Sequence, residues 1–155
     1  MSDPIRIWLA VAYAAPFRVG GWAFVRRDAA GVAGLAAGDR RLSGGRAPLL
    51  ALAAALKDLP KGAEVELVTA DPGVAAVPRT LSPQPGEEPP AEDLDLWAQL
   101  STALKDRRVQ IVREAPQPGR PLAFAAAWAE QAQERAKNGP FAFAIPKPNL
   151  ARSGA

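Results

Sequence analysis

Cysteine and histidine are both absent from this 155-residue chain, and methionine and tyrosine occur once each. Without cysteine there is no disulfide, no thiolate metal site and no thiol nucleophile. Without histidine, the commonest general base, the commonest zinc ligand and every histidine-dependent triad drop out together. Long apolar runs are missing too. The longest apolar stretches are strand-length or broken by charge, and Met1-Ser2-Asp3-Pro4 shows no basic region leading into an apolar run and a small-residue cleavage site. That pattern argues against membrane spanning and secretion, and makes a cytoplasmic location the expectation.

What is present is ordinary for a globular protein. Hydrophobic residues make up 48% and charged residues 23%, enough for one domain with a real core. The formal charge is +3, and fourteen of the nineteen basic residues are arginine, which gives a pI of about 9.7. A mild positive field of this kind suits nucleic acid or an acidic protein partner and selects neither. Genomic base composition explains arginine and alanine enrichment equally well.

Along the chain, Ile5 to Tyr13 is an apolar, β-rich run that reads as a central strand covered on both faces. Gly20-Gly21 opens a second strand over residues 22–27, and a turn near residues 28–31 leads into a third from Val32 to Leu42, so the first third reads as an antiparallel meander. Leu49, Leu52, Leu56 and Leu59 then recur at helical spacing between Pro48, which suits a first helical turn, and Pro60 with Gly62, which end it. Glu64 to Thr69 is a short strand, and the helix between two strands suggests a crossover unit. Five prolines between Pro78 and Pro90 predict a loop. A helix capped by Asp93 buries Leu96, Trp97, Leu100, Ala103 and Leu104, with Lys105, Arg107 and Arg108 near its negative end. Val109 to Arg113 is the last strand, and a final helix runs from Pro121 to Asn138-Gly139-Pro140.

Other features have a structural reading and a functional one. The tryptophans at 8, 22, 97 and 128 fall at strand or apolar helix positions, which favours core packing over base stacking. The pairs Arg26-Arg27, Arg40-Arg41 and Arg107-Arg108 read as solvated element ends, with a phosphate-tracking patch as the alternative. Gly44-Gly45 lacks the following Lys-Ser/Thr of a P-loop. The tail from Phe141 to Leu150 either folds back on its own domain or docks to a partner through Phe141, Phe143, Ile145 and Leu150.

Several local motifs converge on one family. Gly20-Gly21-Trp22-Ala23, Arg46 followed by Leu49-Leu50-Ala51, Glu64-Val65-Glu66-Leu67-Val68-Thr69, and Asp95-Leu96-Trp97-Ala98-Gln99-Leu100 resemble type 1 ribonuclease H over about residues 5–137, the last being the most specific match. The resemblance implies an α/β ribonuclease H-like fold: a mixed five-stranded sheet, three antiparallel strands then two parallel, with helices on both faces. The domain is expected over residues 1–138, with 78–92 as a loop insertion and 139–155 as a tail. In that family four carboxylates hold two divalent cations that activate water against a phosphodiester. Carried onto this chain, they fall on Ala10, Pro48, Ala70 and Ala127, none of which offers an oxygen ligand from its side chain.

The departures extend beyond the metals. The family's flexible-loop histidine falls near Gln117, its groove-reading residues on Pro16, Gly44, Gly45 and Pro72, and its basic protrusion on the acidic, proline-rich residues 78–92. Asp71, Glu114 and Glu130 are the nearby acids that a rebuilt site would draw on; a one-residue offset in a strand turns Asp71 to the opposite face. The resemblance thus implies a catalytically inactive module that needs no cofactor and binds a protein partner. The alternative is a non-catalytic nucleic-acid binder whose contacts would be Arg18, Arg40, Arg41, Arg46, Arg113 and Arg120, and active nuclease is third.

Overall fold

A computed structural model describes residues 4–155; the expectation drawn from the first residues falls on Met1 to Asp3, outside the described range. The strands are β1 (Ile5–Ala14), β2 (Val19–Asp28), β3 (Gly31–Arg40), β4 (Glu64–Thr69), β5 (Arg108–Arg113) and β6 (Phe141–Ala144). The helices are α1 (Arg46–Leu56), α2 (Pro72–Ala75), α3 (Val77–Leu81), α4 (Leu94–Lys105), α5 (Pro121–Ala136) and α6 (Lys147–Leu150). The sheet order is β5-β4-β1-β2-β3-β6. The pairs β1/β2, β2/β3 and β3/β6 are antiparallel, and β1/β4 and β4/β5 are parallel. The mixed α/β class agrees with the sequence reading, but the sheet has six strands where five were expected.

Strand alternation divides β1 between two cores. Ile7 and Leu9 join α1 and α4 on one face of the sheet. Trp8 and Ala10 join α5 on the other. The α1 helix starts where Ser43 Oγ accepts from Arg46 N (3.1 Å), and Pro48 in its first turn gives up a donor that would have no partner. On the opposite face α5 lies unusually close to the sheet because β2 and β3 present glycine to it. A Cβ on Gly21 would lie 2.2 Å from Gln133 N and 2.5 Å from Ala129 O, and one on Gly38 would lie 2.8 Å from Ala136 Cβ. The helix answers with alanines: Ala125, Ala129, Ala132 and Ala136 are buried. Within the family-like Gly20-Gly21 pair, Gly21 is thus required by the approach of a helix backbone, whereas a Cβ on Gly20 would meet side chains on the other face, Ala47 Cβ and Leu42 Cδ1, at 3.1 Å.

The sixth strand comes from the segment set apart as a tail. Leu35↔Ala144, Ala36↔Phe143, Ala37↔Ala142 and Gly38↔Phe141 pair across β3/β6. Ile145 and Leu150 are 3% and 5% exposed in the α5-side core. Their expected part in partner docking is thus corrected: two of the four apolar side chains are used up in the domain's own interior. Phe141 and Phe143 stack at 5.7 Å on that same side, and Phe143 meets Trp128 edge-on at 5.8 Å.

Two smaller corrections concern the proline-rich region and α1. Val77–Leu81 is helical, so the loop begins after residue 81; Pro78 sits in that helix's first turn, where proline is tolerated. The α1 helix ends at Leu56, although Leu59 is still buried. Trp8 and Trp22 are core residues and Trp97 packs partly buried against the first core. Among the described residues no helix is long and apolar enough to cross a membrane.

Candidate functional site

Parallel pairing of β1 with β4 runs through Leu9↔Thr69, so the next residues, Ala10 and Ala70, leave the two strands side by side. Both line a small crevice of about 210 Å³ together with Val11, Asp71, Pro72, Pro116, Leu122 and Ala126. Its walls are therefore the middle of β1, the residues just after β4, the start of α2, the loop after β5 and the first turns of α5. Pro48 is close by under α2: a Cβ on Gly73 would lie 2.8 Å from Pro48 Cγ and 3.0 Å from Asp71 Oδ2. Three of the four positions singled out in the sequence are gathered at this corner of the fold.

The fourth, Ala127, does not join them. Leu122 and Ala126, one α-helical turn apart, face the crevice, whereas Ala127 is exposed to solvent. A rotation of about 100° per residue makes a one-position offset decisive in a helix.

The neighbouring acids do not converge. Asp71 Oδ2 accepts from Val74 N (2.9 Å), so the side chain caps α2, and its own N–H donates to buried Thr69 Oγ1 (3.1 Å). Glu130 lies one turn beyond Ala126, in an adjoining hollow with Tyr13, Gln133 and Glu134. Glu114 lines a different cavity with Gln117, the residue matched to the flexible-loop histidine. Among the described residues no group of three or more acidic side chains comes together. Hard divalent cations need several convergent oxygens, and a crevice with one carboxylate, already engaged by a helix end, does not fit them.

The six candidate arginines fall into separate groups. Arg18, Arg40 and Arg41 gather at one end of β2 and β3, where Val19 pairs with Arg40 and Leu42 N donates to Arg18 O (2.9 Å). All three are exposed, and Arg18 and Arg41 have φ of 52° and 61°. Arg113 ends β5, and Arg120 precedes the first residue of α5. Arg46 is corrected: it donates to Asp93 Oδ1 (2.9 Å) and makes two bonds to Asp95, at 3.2 and 3.0 Å. The hydrogen bonds to Asp95, then to Asp93, raise its pKa above an already high ordinary value. The bond from Arg46 in turn holds the Asp95 carboxyl below its ordinary range. This cation ties the start of α1 to the start of α4 and is not available to phosphate.

Sequence reasoning missed one cluster. Arg6, Trp8 and Arg27 meet only because β1 and β2 pair in a particular register, and residues 21 apart give no local signal of it.

This architecture, a mixed sheet with an α5-side crevice where the parallel pairing of β1 with β4 stops, is a ribonuclease H-like fold. Two solved structures are similar to it across most of their length. One is LC9-RNase H1, a type 1 RNase H with the type 2 active-site motif, with a TM-score of 0.67 at 12% identity over 99% of this chain and 86% of that one. The other is the N-terminal RNase H domain of rv2228c from Mycobacterium tuberculosis, as a fusion protein with maltose binding protein, with a TM-score of 0.60 at 17% identity over 88% of this chain and 98% of that one. No family model matches the sequence. No curated protein matches it either.

Proposed function

We propose that this chain is a catalytically inactive ribonuclease H-like domain that works as a protein-interaction or regulatory module. The observation that carries this reading is the lining of the crevice: Ala10, Ala70, Val11, Leu122 and Ala126 offer no side-chain oxygen and the one carboxylate, Asp71, caps α2, whereas metal-dependent hydrolysis needs several convergent carboxylates. An apolar crevice no longer gathers cations and offers contact area to an apolar protein segment.

The test is cleavage of an RNA/DNA hybrid by rigorously purified protein in Mg²⁺ or Mn²⁺. No turnover above a buffer control is expected. Metal-dependent cleavage abolished by Asp71→Asn or Glu130→Gln would overturn inactivity, since Asp71 lines the crevice and Glu130 the adjoining hollow.

A second reading, non-catalytic nucleic-acid binding, has one observation in its favour: the exposed group of Arg18, Arg40 and Arg41. Phosphate contacts impose a steep dependence on salt. Binding to hybrid, duplex or single strand that weakens steeply with salt and is lost in Arg40→Gln/Arg41→Gln would favour it over the protein-interaction reading.

A further inference from the structure

On the α5 side of the sheet, a row of charge crosses the strands. Arg6 of β1 stands directly opposite Arg27 of β2 and is in register with Glu66 of β4. Like charges directly opposite each other in an antiparallel pair are destabilising. Glu66 relieves only one of them, accepting from Arg6 Nη2 at 2.8 Å. Arg27 forms no ion pair among the described residues.

Both guanidinium groups are nevertheless held in place. Their central carbons lie 5.3 Å (Arg6) and 5.5 Å (Arg27) from the ring centre of Trp8, a buried residue at 7% exposure. Cation–π contact with a fixed indole restrains two side chains that would otherwise be mobile, so less entropy is lost when they grip something. A third arginine, Arg120, comes in from the loop before α5, and the three line one cavity of about 450 Å³ with Glu114, Gln117 and Gly154. Glu66 already offsets Arg6, so Arg27 and Arg120 against Glu114 leave the wall net positive. The α5 helix also begins here, with no side chain capping its first turn, and its positive end adds to the same field.

The cavity is separate from the alanine-lined crevice: Leu122 stands between them and lines both. Its volume lies within the range of small-molecule sites and exceeds what a bare oxyanion fills. Guanidinium forks match the geometry of phosphate oxygens.

We propose that this cavity is a binding site for a small phosphomonoester, its phosphate gripped by Arg27 and Arg120 with Arg6 behind them, and its organic part lying toward Gln117 and Gly154. The inference is independent of the interaction-module reading.

The experiment is calorimetric titration of the intact chain at low salt with inorganic phosphate, ribose 5-phosphate, adenosine monophosphate and adenosine. At least one phosphomonoester is expected to bind with a Kd below about 1 mM and more tightly than inorganic phosphate, while adenosine gives no signal. Arg27→Gln and Arg120→Gln should each weaken that binding about tenfold or more, on the scale of a lost charge-assisted hydrogen bond. Both side chains belong to exposed residues, so both variants should fold, which far-ultraviolet circular dichroism checks. Arg108→Gln, outside the cavity, should bind as the parent does. Three results would overturn the proposal: neither phosphomonoester binding in the millimolar range, inorganic phosphate binding as tightly as the esters, or affinity unchanged in both cavity variants.

Discussion

The Gly21→Ala substitution tests the packing that makes this fold what it is. Gly21 sits in β2 beneath α5, where an added methyl would lie 2.2 Å from Gln133 N, 2.5 Å from Ala129 O and 2.7 Å from Gln133 Cα. All three are backbone atoms of a helix, so no flexible side chain can swing aside. Restoring an ordinary contact needs a retreat of α5 by about 1 Å, which loosens Ala125, Ala129 and Ala132 against Trp8, Ala23 and Val25 together. Overpacking costs about 1–3 kcal/mol and more where the surroundings are rigid, so about 3 kcal/mol is the expectation here. At about 2–4 °C per kcal/mol for a domain of this size, that is a fall in Tm of about 6–12 °C. Gly45→Ala is the matched control: nothing lies within 4 Å of a Cβ there, its φ is −80°, and stability should change by less than about 1 kcal/mol. Thermal melts followed at 222 nm, with urea midpoints alongside, measure both. A Gly21→Ala protein melting within about 2 °C of the parent would refute the close helix–sheet approach.

Three further outcomes follow from the packing, the ion pairs and the crevice. Ile145→Ala should cost about 2–4 kcal/mol in urea denaturation, because a buried aliphatic side chain is lost; a loss under about 0.5 kcal/mol would mean that the segment is a surface element after all. Asp95 is held below its ordinary range by Arg46, so it contributes stability above the ordinary carboxylate pKa of about 4 and loses that contribution as pH falls through the lower folded value. The stability gap between parent and Asp95→Asn should accordingly close on acidification below pH about 4 and shrink in high salt, since the pair is solvent-screened; a gap that widens there contradicts the assignment. The combined variant A10D/A70D/A126D should still fail to cleave an RNA/DNA hybrid in Mg²⁺, because α1 supplies Pro48 at the remaining position; turnover would show that three carboxylates suffice in this scaffold.

Much of the fold was legible because hydrophobic period and punctuation are local. The meander, the helix after Pro48, the strand at Glu64–Thr69 and the final helix from Pro121 all lie where alternation or helical spacing put them, within a few residues. Ala10 and Ala70 lie side by side because β1 and β4 are parallel neighbours, as the expected order of elements requires. What failed to show depends on distance. Phe141–Ala144 alternates like a strand, but its pairing with β3 is a tertiary event. The choice between Ala126 and Ala127 rests on a helix rotation that spacing does not set. Arg46 looked like a free cation because its two carboxylates arrive from a loop and helix about fifty residues away. The arginine cavity needed strand register, a loop and Gly154 all at once.

The strand β6 has a consequence for how the molecule is assembled. Its partners on β3 lie roughly a hundred residues earlier in the chain, so the β1-β2-β3 meander can pair locally while this edge waits for a contact of high sequence separation. In that interval Leu35, Ala36 and Ala37 present an open ladder, the kind of edge that recruits another chain. The segment that eventually covers them follows Gly139, at φ 138°. A second copy's β6 would satisfy the same register and bury the same Ile145 and Leu150. The strand that completes the sheet is therefore the element to watch for domain exchange: refolding at high concentration should produce a swapped dimer that separates only slowly, by unfolding.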